Sequence, residues 1–377
     1  MKLLIINPYD YKTVQSNPGL LSLLRILENK HIDYSLTVSG ATINDGFKYV
    51  EMPQKPGDPG IERATHLNSR QVMNDLTHLV AVDPEGAVIA MRLLDLSKRR
   101  GIRCSYISYE ILFKDEIILP WEQQLKEADL AYLRLCKEIL IQDNVRGRMF
   151  LDEMGMNLGL HYAPIAPLQY FGKSPNRDVI RKTLGLPLDK TILVYSGSFE
   201  PYAKPDWWVK IAENLPKNYV FILTCFDSMQ YRTPVAARVV HILSRIGNTL
   251  FVPKELPYDK YMQLLSVCDV GLALFRPAYR HWADGRNIRQ MGLSSGKFCN
   301  YVSCGLPVIC DSNQDKFHSL ATSYPVIQTV TTSDEILSKL KVLSEPGFDV
   351  DACCKKLFDE ALNPRSGIET YLEALHH

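Results

Sequence analysis

The residues best suited to chemistry gather between Asn287 and Cys310, in NIRQMGLSSGKFCNYVSCGLPVIC. Gly292-Leu-Ser-Ser-Gly-Lys297 is a small, polar stretch that opens a helical pattern. Small residues such as Gly296 let a phosphate approach the backbone. The N–H groups and dipole of a helix N-terminus then favour negative charge. Ser294 and Ser295 add hydroxyl donors and Lys297 adds a cation. The same residues also read as a plain helix cap by Ser294 or Ser295 with a solvated Lys297, because Ser is a common N-cap. A second stretch, Tyr195-Ser-Gly-Ser-Phe-Glu-Pro-Tyr-Ala-Lys204, ends a strand in a small-residue turn and carries Lys204 seven residues after Gly197. Ser198 and Lys204 would meet the same phosphates from the other side; the alternative is an ordinary Ser-Gly turn with an exposed Lys204.

Two acids follow strands nearer the N-terminus, in Val82-Asp83-Pro84-Glu85-Gly86 and Ser108-Tyr109-Glu110. On one rim of a sheet, Asp83 or Glu110 would serve as a base toward an acceptor hydroxyl. The alternative has Asp83 capping the following helix and Glu110 paired with an Arg. Neither the dinucleotide fingerprint GxGxxG nor the phosphate loop GxxxxGK[ST] is present, which argues against an NAD or FAD enzyme and against that type of ATPase.

These positions need elements to hold them. Short apolar runs at Leu3–Ile6, Tyr34–Val38, Leu79–Val82, Cys104–Ile107, Ile192–Tyr195, Tyr219–Leu223, Leu250–Val252, Val270–Leu274 and Pro307–Cys310 suit strands buried on both faces. Helical patterns lie between them, at Gly86–Arg100, Trp207–Asn214, Tyr258–Cys268 and Lys297–Cys304. Gly305 is placed to end the last of these, and Gly101 to cap the first after Lys98-Arg99-Arg100. The alternation predicts an α/β chain of doubly wound parallel sheets, whose ligands bind at the carboxyl ends of the strands. The chain has 377 residues, more than one hydrophobic core usually serves. Pro164, Pro167, Gly172 and Pro175 break the pattern. They divide it into an N-terminal domain at 1–165, a linker at 166–176, a C-terminal domain at 177–350 and a helical tail at 351–377.

Lys plus Arg number 43 against 42 for Asp plus Glu, so no basic excess points to nucleic acid. None of the nine cysteines forms a CxxC pair, which reads as reduced thiols in a cytosolic protein without a zinc site. The apolar run Leu3–Ile6 is too short for a signal peptide, and no run is long enough to cross a membrane. A membrane-bound acceptor would be reached by peripheral contact.

The stretch from Ser294 to Ile309, with Lys297, Tyr301 and Gly-Leu-Pro-Val-Ile, resembles the nucleotide-sugar motif of GT-B-fold glycosyltransferases of the group-1 type. That motif runs Lys, then Glu-Tyr-Leu, then Gly-x-Pro-Val-Ile. Ser-Gly-Ser198 with Lys204 resembles the family's first phosphate loop. Leu256–Leu274, with Tyr258, Tyr261 and Cys268-Asp-Val-Gly, resembles its helix and following strand. Ala128-Asp129 and Gln142–Met156 resemble the end of its N-domain. The resemblance implies two Rossmann-like domains facing across a cleft. The C-terminal one would bind a nucleoside diphosphate through Ser198, Lys204, Ser294, Ser295, Gly296 and Lys297. Residues 252–256 would hold the base, and the tail would return to the N-domain. It implies a nucleotide-sugar substrate, UDP or GDP foremost, with neither a cofactor nor a metal.

The chain departs from the family in places. Asn300 stands where members commonly carry the Glu that binds the ribose, with Asn287 as a compensating neighbour and Tyr301 beside it. The Glu pair at eight-residue spacing is missing, and Asn17-Pro18-Gly19 replaces the Gly-Gly loop after the first strand. The leading expectation is sugar transfer to a hydroxyl acceptor, a glycan or glycoconjugate. The alternatives are a nucleotide-sugar epimerase or hydrolase of the same fold, and a non-catalytic partner subunit.

Overall fold

The structure, a computed structural model, describes residues 1–40, 45–53, 59–70, 72–197, 200–226, 234–253, 256–343, 345 and 347–376. The chain forms two units. One comprises Met1–Leu168, Tyr279–Gly285 and Pro364–His377; the other comprises Gln169–Ala278 and Arg286–Asn363.

The N-terminal unit carries strands β1 (Lys2–Ile6), β2 (Asp33–Ser39), β3 (Tyr49–Met52), β4 (His78–Val82), β5 (Arg103–Ile107), β6 (Cys136–Ile141) and β7 (Gly159–Tyr162). They form one parallel sheet in the order β3-β2-β1-β4-β5-β6-β7. Successive side chains of a strand point to opposite faces, and here both faces are covered. Leu4, Ile6, Leu79, Ala81, Ile139 and Ile141 enter one core. Their neighbours Leu3, Ile5, Val80, Val82 and Leu140 enter the other.

The tail, expected as one helical stretch, is two. A helix at Val350–Leu357 continues as a π-turn to Leu362, and a second helix spans Arg365–His376. The break falls at Asn363-Pro364, where Pro cannot supply a helical N–H. The last helix belongs to the N-terminal unit and buries Ile368, Tyr371, Leu372 and Leu375 in its second core. Its final carbonyls are held by polar groups of the sheet. His78 Nε2 lies 2.7 Å from the Leu375 carbonyl, and Arg103 donates to Leu375 and His376 at 3.1 and 3.0 Å.

The segment Tyr279–Gly285 also packs in this unit, burying Trp282 with Leu112 and Leu125. Within it Asp284 accepts the N–H groups of Arg280 and His281.

The C-terminal unit carries β8 (Thr191–Ser196), β9 (Tyr219–Phe226), β10 (Thr249–Pro253), β11 (Val270–Ala273), β12 (Val308–Asp311) and β13 (Ile327–Val330), parallel in the order β10-β9-β8-β11-β12-β13. Trp208 and Ile211 on the helix Pro205–Asn214 pack with Leu193, Phe221 and Leu272. The helix Gly296–Ser303 ends as its sequence predicts. Gly305 takes φ 69°, its N–H donates to Val302, and Leu306 N–H donates to Tyr301. These are the paired bonds of a glycine-stopped helix. The helix Asp83–Ser97 ends differently from expectation. Lys98 itself adopts the left-handed conformation at φ 51°, so Gly101 is not the cap. Among the described residues no helix is long and apolar enough to cross a membrane.

Candidate functional site

In the C-terminal sheet the chain winds outward from β8 through β9 to β10, and from β11 through β12 to β13 on the other side. The reversal lies between β8 and β11, and such switch points form the binding crevice of open α/β sheets. The two sequence stretches singled out for phosphate chemistry meet there. Lys297 Nζ donates to Tyr195 Oη at 2.7 Å. It lies 4.0 Å from the Tyr195 ring centre and 4.7 Å from that of Phe275. Gly197 stands directly beside it. At φ 135° the backbone suits only glycine, and a Cβ there would sit 2.9 Å from Lys297 Nζ. The turn after β8 thus brings bare backbone against an ammonium group. Ser198 lies outside the described residues, as do residues 254–255 of the stretch expected to hold the base.

The other expected donors are corrected by the geometry. Ser295 is the N-cap of the helix Gly296–Ser303 and accepts from Phe298 N–H at 3.3 Å. Ser294 Oγ donates to the Met291 carbonyl at 2.5 Å. Both hydroxyls serve the backbone. What the helix Gly296–Ser303 offers an anion is the positive end of its dipole, at Gly296. Asn287, expected in a loop, is buried in the short helix Arg286–Arg289.

Lys204 was expected as a second cation facing phosphate. It adopts φ 54°, and its ammonium is ion-paired with Asp311 at the end of β12, with 4% and 0% of the two side chains exposed. The same ammonium lies 3.6 Å from the Trp207 ring centre. Lys204 therefore ties the loop after β8 to the end of β12.

Asn300 and Tyr301 also face inward. Asn300 Oδ1 accepts from Tyr258 Oη at 2.9 Å. Tyr301 is fully buried, and its Oη accepts the Ser196 N–H at 2.8 Å. Room for that ring comes from Gly271 on β11, where a Cβ would lie 2.4 Å from the ring. Gly271→Ala is expected to cost about 1–3 kcal/mol through overpacking. It should appear as a lowered melting temperature with the secondary structure intact.

The switch point of the N-terminal sheet lies between β1 and β4. Asp83 follows β4 there at φ 58° and is completely buried. One oxygen accepts the N–H groups of Tyr109 and Glu110 at 2.6 and 2.8 Å; the other accepts Tyr9 Oη–H at 2.6 Å. It neither caps its helix nor faces solvent. Burial raises its carboxyl to about 6, with those three bonds pulling the other way. Glu110, held in place by Asp83, keeps 31% of its side chain open and lies 3.5 Å from Arg146 of the helix Asn144–Met154. Burial lifts it to about 7 against the pull of Arg146. Glu85 is lifted to about 8, by burial first and then by Asp83.

These shifts set a pH dependence. An unfolded carboxyl titrates near pH 4. Between that value and 6–8 the folded chain holds protons that the unfolded chain has released. This contribution is full below about pH 4 and is lost as pH rises through about 8. Glu85→Gln, which stays neutral, is expected to raise the melting temperature at about pH 8.5, leave it unchanged near pH 4 and flatten the slope between. A pH series of melting curves checks this.

The sequence reading passed over Tyr9, Arg146, Ser196 and Asp311. Of these only Ser196 carried a local signal, as the residue before Gly197; the others act through partners distant in the chain.

No protein-family model matches the sequence, and no curated protein does. Solved structures match over essentially the whole chain. Sucrose-phosphate synthase from Thermosynechococcus elongatus has TM-score 0.73 at 11% identity, covering 100% of this chain and 98% of its own. Anabaena HepE in complex with UDP and glucose has TM-score 0.72 at 12% identity, with 100% and 99% covered. WaaG, a glycosyltransferase involved in lipopolysaccharide biosynthesis, has TM-score 0.65 at 12% identity, with 98% of each chain covered. Two parallel sheets flanked by helices, in this order and over this length, are the GT-B fold of these structures.

Proposed function

We propose that the chain is a glycosyltransferase that moves a sugar from a nucleoside-diphosphate sugar to a hydroxyl of a glycan or glycoconjugate acceptor. The donor, a UDP or GDP sugar foremost, binds the C-terminal unit and the acceptor the N-terminal unit. The observation that carries this reading is Lys297, whose ammonium stands against the bare backbone of Gly197 at the switch point. Fixed charge and N–H groups aimed at a departing diphosphate are commonly the largest catalytic contribution. The reading calls for no metal and no cofactor. It is supported by the fold shared with HepE, whose structures hold UDP and UDP-glucose. The protein is proposed to work in the cytoplasm and to reach a membrane-bound acceptor by peripheral contact.

On the acceptor side Glu110 is the proposed base, since its side chain is 31% exposed and burial of the rest lifts its carboxyl to about 7; Asp83 holds it in place by accepting the Glu110 backbone N–H. The transfer rate should rise with pH through about 7, and Glu110→Gln should lower kcat by about 10²–10⁴ without that rise. The functional test is incubation with UDP, GDP, ADP and dTDP sugars, with and without a mixed glycan acceptor. Release of nucleoside diphosphate that depends on acceptor supports transfer. Conversion of the donor alone favours the epimerase or hydrolase reading. A protein that binds no donor contradicts both and favours a non-catalytic partner.

A further inference from the structure

Lys297 lies in the first turn of the helix Gly296–Ser303. A lysine stem has four carbons and wide rotamer freedom, so the helix alone does not fix where its ammonium stands. Three contacts do so here. The ring centres of Tyr195 and Phe275 lie 4.0 and 4.7 Å from Nζ, within the range at which a ring face attracts a cation. The third contact is the hydrogen bond from Nζ to Tyr195 Oη, at 2.7 Å. An ammonium has three donors and no acceptor, so this bond runs in one direction only. With one N–H fixed on Tyr195, the tetrahedral nitrogen sets where the other two point.

Tyr195 is itself held. It lies on β8 with no exposed surface, and its ring centre is 4.4 Å from that of Trp208, which is also fully buried, on the helix Pro205–Asn214. The same hydroxyl reaches the bare backbone of the switch point. A Cβ on Gly197 would lie 2.9 Å from Lys297 Nζ, 3.2 Å from its Cε and 3.5 Å from Tyr195 Oη. Trp208 thus fixes the phenol, the phenol fixes the ammonium, and Gly197 leaves the room beside both.

We propose that Tyr195 is a positioning residue whose hydroxyl orients the Lys297 ammonium against Gly197, ready for the diphosphate of the nucleotide sugar. The inference rests on the donor-site reading above and adds the group that orients its cation. A charge set in place before the reaction needs no ordering as the anion develops, which a loose ammonium would.

The test is a cycle of Tyr195→Phe, Lys297→Met and the double variant, read by kcat with the preferred donor. Binding of UDP, GDP, uridine and guanosine is measured on the same proteins, and melting curves show that each is folded. Tyr195→Phe keeps the ring against Trp208 and beside the ammonium and removes only the oxygen. The expected result is a loss of about tenfold in kcat for Tyr195→Phe, as for a hydrogen bond to a charged group. Nucleoside binding should be unchanged. With Lys297 already replaced by Met, Tyr195→Phe should cost nothing more, because the group it orients is gone. A hydroxyl that merely supports the scaffold would matter equally in both backgrounds and would disturb nucleoside binding too. Additive losses, weakened nucleoside binding, an unaffected Tyr195→Phe, or a Tyr195→Phe that does not fold would each overturn the inference. Wild type that binds neither UDP nor GDP rejects the donor-site reading and this inference with it. Wild type that binds a diphosphate and turns over donor, with Tyr195→Phe equally active, rejects the inference alone.

Discussion

Asp311→Ala is expected to lower the stability of the C-terminal unit by about 3–5 kcal/mol, because it strands the Lys204 ammonium in the interior. Asp311 has no exposed side-chain surface and Lys204 has 4%. Removing one partner leaves an uncompensated charge where water cannot reach it. For a unit of this size the melting temperature should fall by roughly 6–20 °C. Replacing both residues, as Asp311→Asn with Lys204→Met, removes the charge together with its partner. That double variant should recover most of the loss, since an ion pair so buried contributes little net stability over an uncharged pair. Melting curves of the single and double variants check the prediction. A single variant with wild-type stability would mean that the ammonium escapes to solvent, and with it the cation first expected at the phosphate site.

Lys297→Ala is expected to reduce kcat by about 10²–10³ with the fold retained, the effect typical of removing one preorganised donor at a developing anion. Lys297→Met separates charge from packing. It keeps an apolar stem between the rings of Tyr195 and Phe275 and removes the ammonium. Both variants should lose activity alike, while Lys297→Met stays closer to wild type in stability. Steady-state rates with the preferred donor, paired with melting curves, decide between a charge that acts on the reaction and one that only holds two aromatic rings.

What the sequence revealed was what is local. Small residues before Lys297 announce a helix start, Gly305 announces its end, and continuous apolar runs announce strands buried on both faces. These followed from backbone stereochemistry and periodicity; that the two loops flank the switch point of the C-terminal sheet follows from the strand order. β6 escaped because Lys137 and Glu138 interrupt its run, and β13 because Gln328 and Thr329 do. β3 and β7 are edge strands of the first sheet, half open to solvent and without a buried pattern.

Side-chain roles were harder to read because they depend on partners far away in the chain. Lys204 looks like a phosphate ligand until Asp311, 107 positions on, is placed beside it. Tyr301 reads as part of a ligand motif, yet it is a brace whose room is made by Gly271 on a neighbouring strand. Asp83 reads as a base or a cap, yet it clamps the turn that carries Glu110. In each case the residue type was right for the chemistry, and burial decided the role.

The central claim is that Lys297 and Gly197 form the diphosphate site of a nucleotide-sugar donor. The most direct measurement is a thermal-shift series with UDP, GDP, ADP, CMP and dTDP on wild type and Lys297→Met. A nucleotide at 100 times its dissociation constant adds about 2.7 kcal/mol of stability. At least one nucleoside diphosphate is expected to raise the melting temperature of wild type clearly, and Lys297→Met is expected to lose most of that rise. A wild type that no nucleotide shifts, or an equal shift in the variant, would contradict that claim.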